Sequence, residues 1–252
     1  MKVRPGVELA SLTDVGCERE NNEDSYGYWE SEDDRVFERL GRLVTVADGM
    51  GGSEGGQFAS RIGVDTVEEL YSAASGGDPQ RALLDAFKEA HRRVQGRARE
   101  SRALKGMGTT LTAFALVGNR LHFAHVGDSR IYRLRTGKLE VLTHDHSLVS
   151  RLVENGVIRA EEAGSHPQRH VLIAAVGVAE QVEPDFPAEP LPVEKSDVFM
   201  VCSDGLWTQV SEEEIIRELA SKTPIDACRS LVGLAKEHGG PDNITLEILR
   251  IS

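Results

Sequence analysis

The sequence predicts a mixed α and β fold, because short β-branched or apolar runs of strand length alternate with longer stretches whose apolar residues recur at helical spacing. A chain of 252 residues suits one large domain with a continuous core, and neither an internal repeat nor a domain linker interrupts it. A single domain over residues 1–252 is the expectation.

Leu43 to Ala47, Leu111 to Val117, Leu121 to Val126, Val198 to Cys202 and Ile244 to Ile251 read as strands. Several fill successive positions with apolar residues instead of alternating, the mark of burial on both faces. Between the first two lie two helical patterns: Phe58, Ile62, Val67, Leu70 and Tyr71, then Leu83, Ala86, Phe87, Ala90 and Val94. The second starts cleanly, with Asp78 as N-cap and Pro79 at the first helical position, where a missing N–H is harmless. From about 144 to 177 the pattern becomes a short amphipathic helix (Leu148, Val149, Leu152, Val153), a polar turn and His166-Pro167, which reads as an excursion from the core. Pro184, Pro187, Pro190 and Pro192 follow as an extended surface connector. Ser211 with Glu214 has capping-box form before Ile215 and Leu219, and Thr223-Pro224 opens another helix that Gly239-Gly240 closes. Two helices are thus expected between the strands at Val198 and Ile244.

With 41 acidic against 29 basic residues the formal net charge is -12, which repels phosphodiester backbones and argues against nucleic acid as a partner. Most of the acidic excess reads as solvated surface; part of it is available as a carboxylate cluster for hard cations. Cys17, Cys202 and Cys228 form an odd set without a C-x-x-C pair, so neither a disulfide framework nor a zinc ribbon is indicated, and a reducing cytoplasm fits. The start, Met1 to Gly6, leads into no apolar stretch of signal-peptide length, and no apolar run is long enough to span a bilayer. A soluble chain with no membrane partner is expected.

Three apolar runs end on an aspartate beside glycine: Val46-Ala47-Asp48-Gly49, His125-Val126-Gly127-Asp128 and Val201-Cys202-Ser203-Asp204-Gly205. A fourth aspartate, Asp242, stands just before the strand at Ile244. Carboxylates at strand ends, with glycines that let the backbone come close, are what Mg²⁺ or Mn²⁺ takes, since these hard ions bind oxygen. Asp-Gly pairs also make ordinary turns. Three runs of the same form favour a shared site.

The N-terminal stretch Asp14-Val15-Gly16-Cys17-Glu18-Arg19-Glu20-Asn21-Asn22-Glu23-Asp24 packs acids and an arginine around a glycine. Its pattern, D-x-G-x-x-R-x-x-N-E-D, is followed in order by D-G-x-G-G, G-T-T, G-D-S-R, S-D-G and D-N-x-T. This succession, from Thr13 to Thr245, resembles the protein phosphatase 2C (PPM) family. The resemblance implies an α+β fold, a four-layer α-β-β-α sandwich with two central antiparallel β-sheets, and a metal-dependent protein serine/threonine phosphatase acting on phosphoserine and phosphothreonine against a bacterial Ser/Thr kinase. It implies two Mn²⁺ or Mg²⁺ ions, with Asp48 bridging them and the Gly49 carbonyl on one, while Asp204 and Asp242 complete the other. Glu23 and Asp24 would hold metal-bound waters, Asp128 a possible third, weaker ion, and Arg19 the substrate phosphate. Arg19 read alone, without the family pattern, is a salt bridge to Glu23 or Glu18. Such a pair of ions, ~4 Å apart, activates a water for direct attack on phosphorus without a covalent intermediate. That suits a chain with no C-x5-R signature and with Cys202 inside an apolar run. A monomer is expected.

The chain departs from the family at several positions. Met50 stands where eukaryotic relatives carry a histidine thought to protonate the leaving alkoxide; many bacterial relatives also have methionine. In the stretch His166 to Gly177, which resembles the family's flap, His170 replaces an asparagine and Ala174 an arginine. These changes keep open a catalytically inactive, phosphatase-like binding module. Other signals read as structural. Gly49 to Gly56 has no Lys followed by Ser/Thr, unlike a nucleotide-binding loop. His122 and His125 face opposite ways on a strand and His144 and His146 lie next to a turn, so surface or hydrogen-bonding roles are expected. His91, Arg92, Arg93, Arg97, Arg99 and Arg102 read as a solvated helix face.

Overall fold

The computed structural model describes residues 3–51, 55–75, 77–178 and 180–252; Met1, Lys2 and, in the glycine-rich stretch, Gly52, Ser53 and Glu54 lie outside the described residues. The chain runs through β1 (Val7–Asp14), β2 (Ser25–Glu30), α1 (Asp34–Leu40), β3 (Arg42–Ala47) and the two-residue β4 (Gly49–Met50). Helices α2 (Gly55–Ser72) and α3 (Pro79–Glu100) lead to β5 (Gly108–Thr109), β6 (Leu111–Val117), β7 (Arg120–Val126), β8 (Arg130–Arg135) and β9 (Lys138–Val141). Then come α4 (Leu148–Glu154), α5 (Ala160–Ala163), β10 (Leu191–Pro192), β11 (Val198–Cys202), α6 (Asp204–Trp207), α7 (Glu212–Ser221), α8 (Pro224–Glu237) and β12 (Ile244–Ile251).

Two antiparallel five-stranded sheets form, ordered β1-β12-β11-β8-β9 and β10-β7-β6-β3-β2. Three apolar cores explain why. One joins Val44, Val46, Phe114, Ile131, Phe199, Val201 and Leu249 between the sheets. A second packs α2 and α3 residues such as Val67, Tyr71, Phe87 and Val94 on Leu43, Leu111 and Ala113. A third packs Ile215, Leu219, Cys228 and Leu231 of α7 and α8 on Met200, Cys202, Leu246 and Ile248. Each inner strand therefore serves two cores: in β11, Phe199 and Val201 face the other sheet while Val198, Met200 and Cys202 face helices. Burial of each large side chain on either face contributes ~1.5–3 kcal/mol, so the non-alternating apolar runs and the α-β-β-α layering have one cause.

The capping signals act as read. Asp78 accepts from Gln80 N at 3.0 Å and Arg81 N at 3.3 Å, Ser211 and Glu214 form a reciprocal box, and Thr223 accepts from Asp226 N. Two expectations need correction. Three helices, not two, separate β11 from β12, because the chain after Cys202 turns at once into the single-turn α6. His91 is not on the solvated face: it is buried, and its Nδ1 accepts Gly177 N–H at 3.0 Å. Arg92 and Arg93 do lie outward, paired with Glu89 and Glu69. Among the described residues no helix is long and apolar enough to cross a membrane.

Candidate active site

The motif segments meet at one end of the sandwich. Asp48 leaves β3 with its backbone clamped by the Gly108-Thr109-Thr110 segment: Asp48 N donates to Thr110 Oγ1 at 2.8 Å, while Thr110 N and Thr109 Oγ1 both donate to Asp48 O at 2.8 Å. Thr110 Oγ1 in turn lies 2.9 Å from Ser129 Oγ, so the segment after β7 is tied to the segment after β3. Gly49 is needed where it stands, since a Cβ there would lie 2.1 Å from Gly56 O and 2.6 Å from Glu23 O.

The pairing of β1 with β12, which sets Asp14 opposite Ile244, brings the N-terminal loop beside Asp242. Asn243 pins that loop: its Oδ1 accepts Glu23 N–H at 2.8 Å, and its Nδ2 donates to Val15 O at 3.0 Å and Asn21 O at 2.9 Å. Gly205 fits against the same segment only without a side chain, a Cβ being 2.0 Å from Asn243 O. Ser203 Oγ donates to Asp24 Oδ2 at 2.8 Å, joining the loop to the end of β11.

Glu23, Asp24, Asp48, Asp128, Asp204 and Asp242 thus share one cleft, and their electrostatics show what is unbalanced. Burial, then the nearby Asp24, Asp204, Asp128 and Asp242, hold the Asp48 carboxyl well above the usual carboxylate range. Some Asp48 surface still meets solvent at the mouth, but its depth among protein atoms sets the desolvation. Burial, followed by Asp204 and Asp145, raises Asp128 likewise. Asp24 is pushed up to about 7 by burial, only partly offset by bonds from Thr245 and Ser203. Burial also raises Glu23, against the pull of Arg19. Oδ1 of Asp24 and Oδ1 of Asp204 are buried without a hydrogen-bond partner. Arg19 is the cation that the structure pairs with this set, its guanidinium donating to Asp242 Oδ2 at 2.8 Å with 53% of its side chain exposed. Its hydrogen-bonded partner is Asp242 and not Glu18 or Glu23, although Glu23 feels its charge. Crowded acids with orphaned oxygens are a donor set for hard cations, and these residues fit such ions.

The sequence assigns no role to three further contributors: Asp145, Trp207 and Arg130, the last residue of the G-D-S-R motif. Arg130 makes a two-pronged contact with Asp145 at 2.9 and 2.6 Å and lies over the Trp207 ring, whose Nε1 donates to Asp128 O at 2.9 Å. An arginine opening β8, an acid fifteen positions on and a tryptophan in α6 share no spacing that reveals their contact. Among the described residues, ligand-type atoms of three residues come within 4.8 Å of one another at one place, His144, His146 and Asp185, outside the motif segments. His146 Nδ1 accepts Gly127 N–H at 3.2 Å, which leaves the proton of the neutral ring on Nε2, 3.0 Å from Asp185 Oδ2. That nitrogen is a donor to the carboxylate, so His146 and Asp185 form a hydrogen-bonded tether, while the His144 ring pairs with Glu154. Among the described residues no three cleft carboxylates bring ligand atoms that close together.

Residues 18–230 match the model of the family described as Protein phosphatase 2C. The serine/threonine protein phosphatase PstP of Mycobacterium tuberculosis is 37% identical over 242 residues, covering 96% of this chain; the chain spans 44% of PstP's length. The solved serine/threonine phosphatase of Streptococcus agalactiae superposes with a TM-score of 0.89 at 36% identity, over 98% of this chain and 100% of that one. A crystal structure of the catalytic domain of PstP in complex with two manganese ions gives a TM-score of 0.84 at 34% identity, covering 98% of each chain. Motif order, layered fold, acidic cleft and these likenesses agree, and the chain belongs to the protein phosphatase 2C family.

Proposed function

We propose that this chain is a metal-dependent protein serine/threonine phosphatase, which removes phosphate from phosphoserine and phosphothreonine placed by a bacterial Ser/Thr kinase. The observation that carries the reading is the crowding of five aspartates at one end of the sandwich, with buried oxygens left unpartnered and an arginine beside them. Asp48, Gly49, Asp204 and Asp242 would hold two divalent cations, Glu23 and Asp24 would act through water, and Asp128 would take a third, weaker ion. When bound, the cations supply Lewis acidity, an activated water and charge neutralisation at phosphorus.

The chain's own residues orient the substrate. Arg19 offers a planar, permanently charged fork to the phosphate while Asp242 fixes its direction. Thr109 and Thr110 hold the Asp48 backbone, and Asn243 holds the loop that carries Arg19 and Glu23. Met50 has no ionisable proton, so the leaving alkoxide takes its proton from another donor. The excursion at 144–177 acts as the flap of a single catalytic domain, with His170 and Ala174 shaping substrate choice. Three free cysteines suit a cytoplasmic protein, and it acts as a monomer.

The test is turnover of p-nitrophenyl phosphate and of a phosphothreonine peptide with Mn²⁺, with Mg²⁺ and with EDTA. Turnover that needs the metal supports the reading. Metal-independent turnover removes the metal role, and none under any condition makes the chain a phosphoprotein-binding module.

A further inference from the structure

The chain returning from α5 is stitched to the core before β10. Leu148 N donates to Val171 O at 2.7 Å, Ile173 N to His146 O at 2.9 Å, and Thr109 and Val176 exchange backbone bonds at 3.0 and 2.9 Å. His170 directly precedes this stitched run, at the end of a turn closed by Val171 N donating to Gln168 O at 3.1 Å. The anchored backbone presents its imidazole to the cleft. Nδ1 stands 3.8 Å from Asp204 Oδ2, and the side chain is 58% exposed.

That separation is too long for a hydrogen bond. It is within about 1 Å of the spacing between neighbouring donor atoms on one ion whose ligands lie at ~2.1 Å. Asp204 Oδ1, the other oxygen of the same carboxylate, is buried with no partner, and the buried Asp128 carboxyl feels Asp204 as its strongest charged neighbour. An imidazole therefore stands beside Asp204, an acid with an unpartnered oxygen that is itself the nearest strong charge to Asp128.

We propose that His170 is a nitrogen ligand of the cation taken by Asp128 and Asp204, making this a mixed nitrogen and oxygen site that selects a first-row transition ion such as Mn²⁺ over Mg²⁺. This rests on the cation reading of the cleft given above. The selectivity follows from ligand type: Mg²⁺ holds to oxygen and to its waters, whereas imidazole binds transition ions readily. A protonated His170 acting as counter-charge to Asp204 predicts the opposite sign, because removing it would then tighten metal binding.

The experiment titrates the metal-free full chain with Mn²⁺, counts bound ions by electron paramagnetic resonance, and records the ¹⁴N modulation of the bound Mn²⁺ for wild type, His170→Ala and His170→Asn. Mg²⁺ affinity is read by competition. We expect directly bound nitrogen in wild type, its loss in both variants, and a rise of roughly tenfold or more in the Kd of the weakest Mn²⁺ site. Mg²⁺ affinity should move less than about twofold. Full Mn²⁺ uptake without nitrogen coupling in wild type, coupling that survives in His170→Ala, or tighter binding in that variant overturns the role of His170 alone. No Mn²⁺ uptake by the wild type overturns the cation reading and this inference together. Because the key signal is read on the wild type, the test does not depend on a variant that folds.

Discussion

The Arg130 guanidinium lies 3.5 Å above the centre of the Trp207 ring, whose Nε1 donates to the Asp128 carbonyl at 2.9 Å. Arg130 also binds Asp145 through two nitrogens with little solvent access. A planar guanidinium can stack and bridge together; an ammonium cannot. Arg130→Lys should therefore lower stability by ~1–3 kcal/mol, read as a drop in denaturation midpoint, and loosen the Trp207 Nε1 bond to the Asp128 carbonyl. Quenching of Trp207 fluorescence by acrylamide should rise. A lysine variant with unchanged midpoint and quenching would show that the stack is incidental.

Asp48→Asn separates stability from function. Wild-type Asp48 is forced among four other carboxylates, so a neutral amide of the same shape relieves the metal-free protein. Its melting temperature in EDTA should rise, by about 2–4 °C for each kcal/mol relieved in a domain of this size. Metal-supported turnover should vanish, and the large stabilisation that Mn²⁺ gives the wild type should shrink. A variant with normal kcat would remove Asp48 from the cation bridge.

How much of this could be read beforehand depends on where each residue's partner sits in the chain. Strands β3, β6, β7, β11 and β12 were legible because both faces are buried and each carries a run of apolar residues that its few polar positions do not hide. Strand β8 was not, since Arg130, Arg133 and Arg135 disguise Ile131, Tyr132 and Leu134; those arginines are neutralised by Asp145, Glu140 and Asp197, which only folding brings near. Strands β1 and β2 carry polar and glycine positions at sheet edges, and α1 is a charged helix of seven residues held by the Asp33 cap. In the cleft, the strand-end aspartates beside glycine announce themselves locally. The attachment of Glu23 by Asn243, and of Asp24 by Ser203, spans 220 and 179 positions and leaves no local pattern.

Arg19 is tied to Asp242, so its removal has two separable effects. Arg19→Ala should raise KM at least several-fold for a phosphopeptide, because a charge-assisted bond to the phosphate is worth ~1.5–3 kcal/mol. Mn²⁺ binding to the metal-free protein should hold or tighten, since Asp242 loses a competing cation. Steady-state kinetics and calorimetric titration read the two independently. An unchanged KM would leave Arg19 as a structural partner of Asp242.

Glu247 offers a test of the core that does not involve the cleft. It is fully buried on β12, where Ser11 Oγ donates to Oε1 at 2.6 Å while Oε2 has no partner, and burial pushes its carboxyl up to about 8. The folded protein therefore holds this proton from the ordinary glutamate range, near 4.5, up to about 8, while the unfolded chain releases it. Stability is full below the unfolded value and is lost as pH rises through that window, at ~1.4 kcal/mol for each unit that separates the two values. Glu247→Gln carries no proton to lose and keeps the acceptor for Ser11. The melting temperature of the variant relative to wild type, measured with EDTA present throughout, should climb steadily between pH 5 and pH 8 and level off above. A difference that stays flat with pH would mean that Glu247 is ionised inside the folded protein, paired with something other than its own proton.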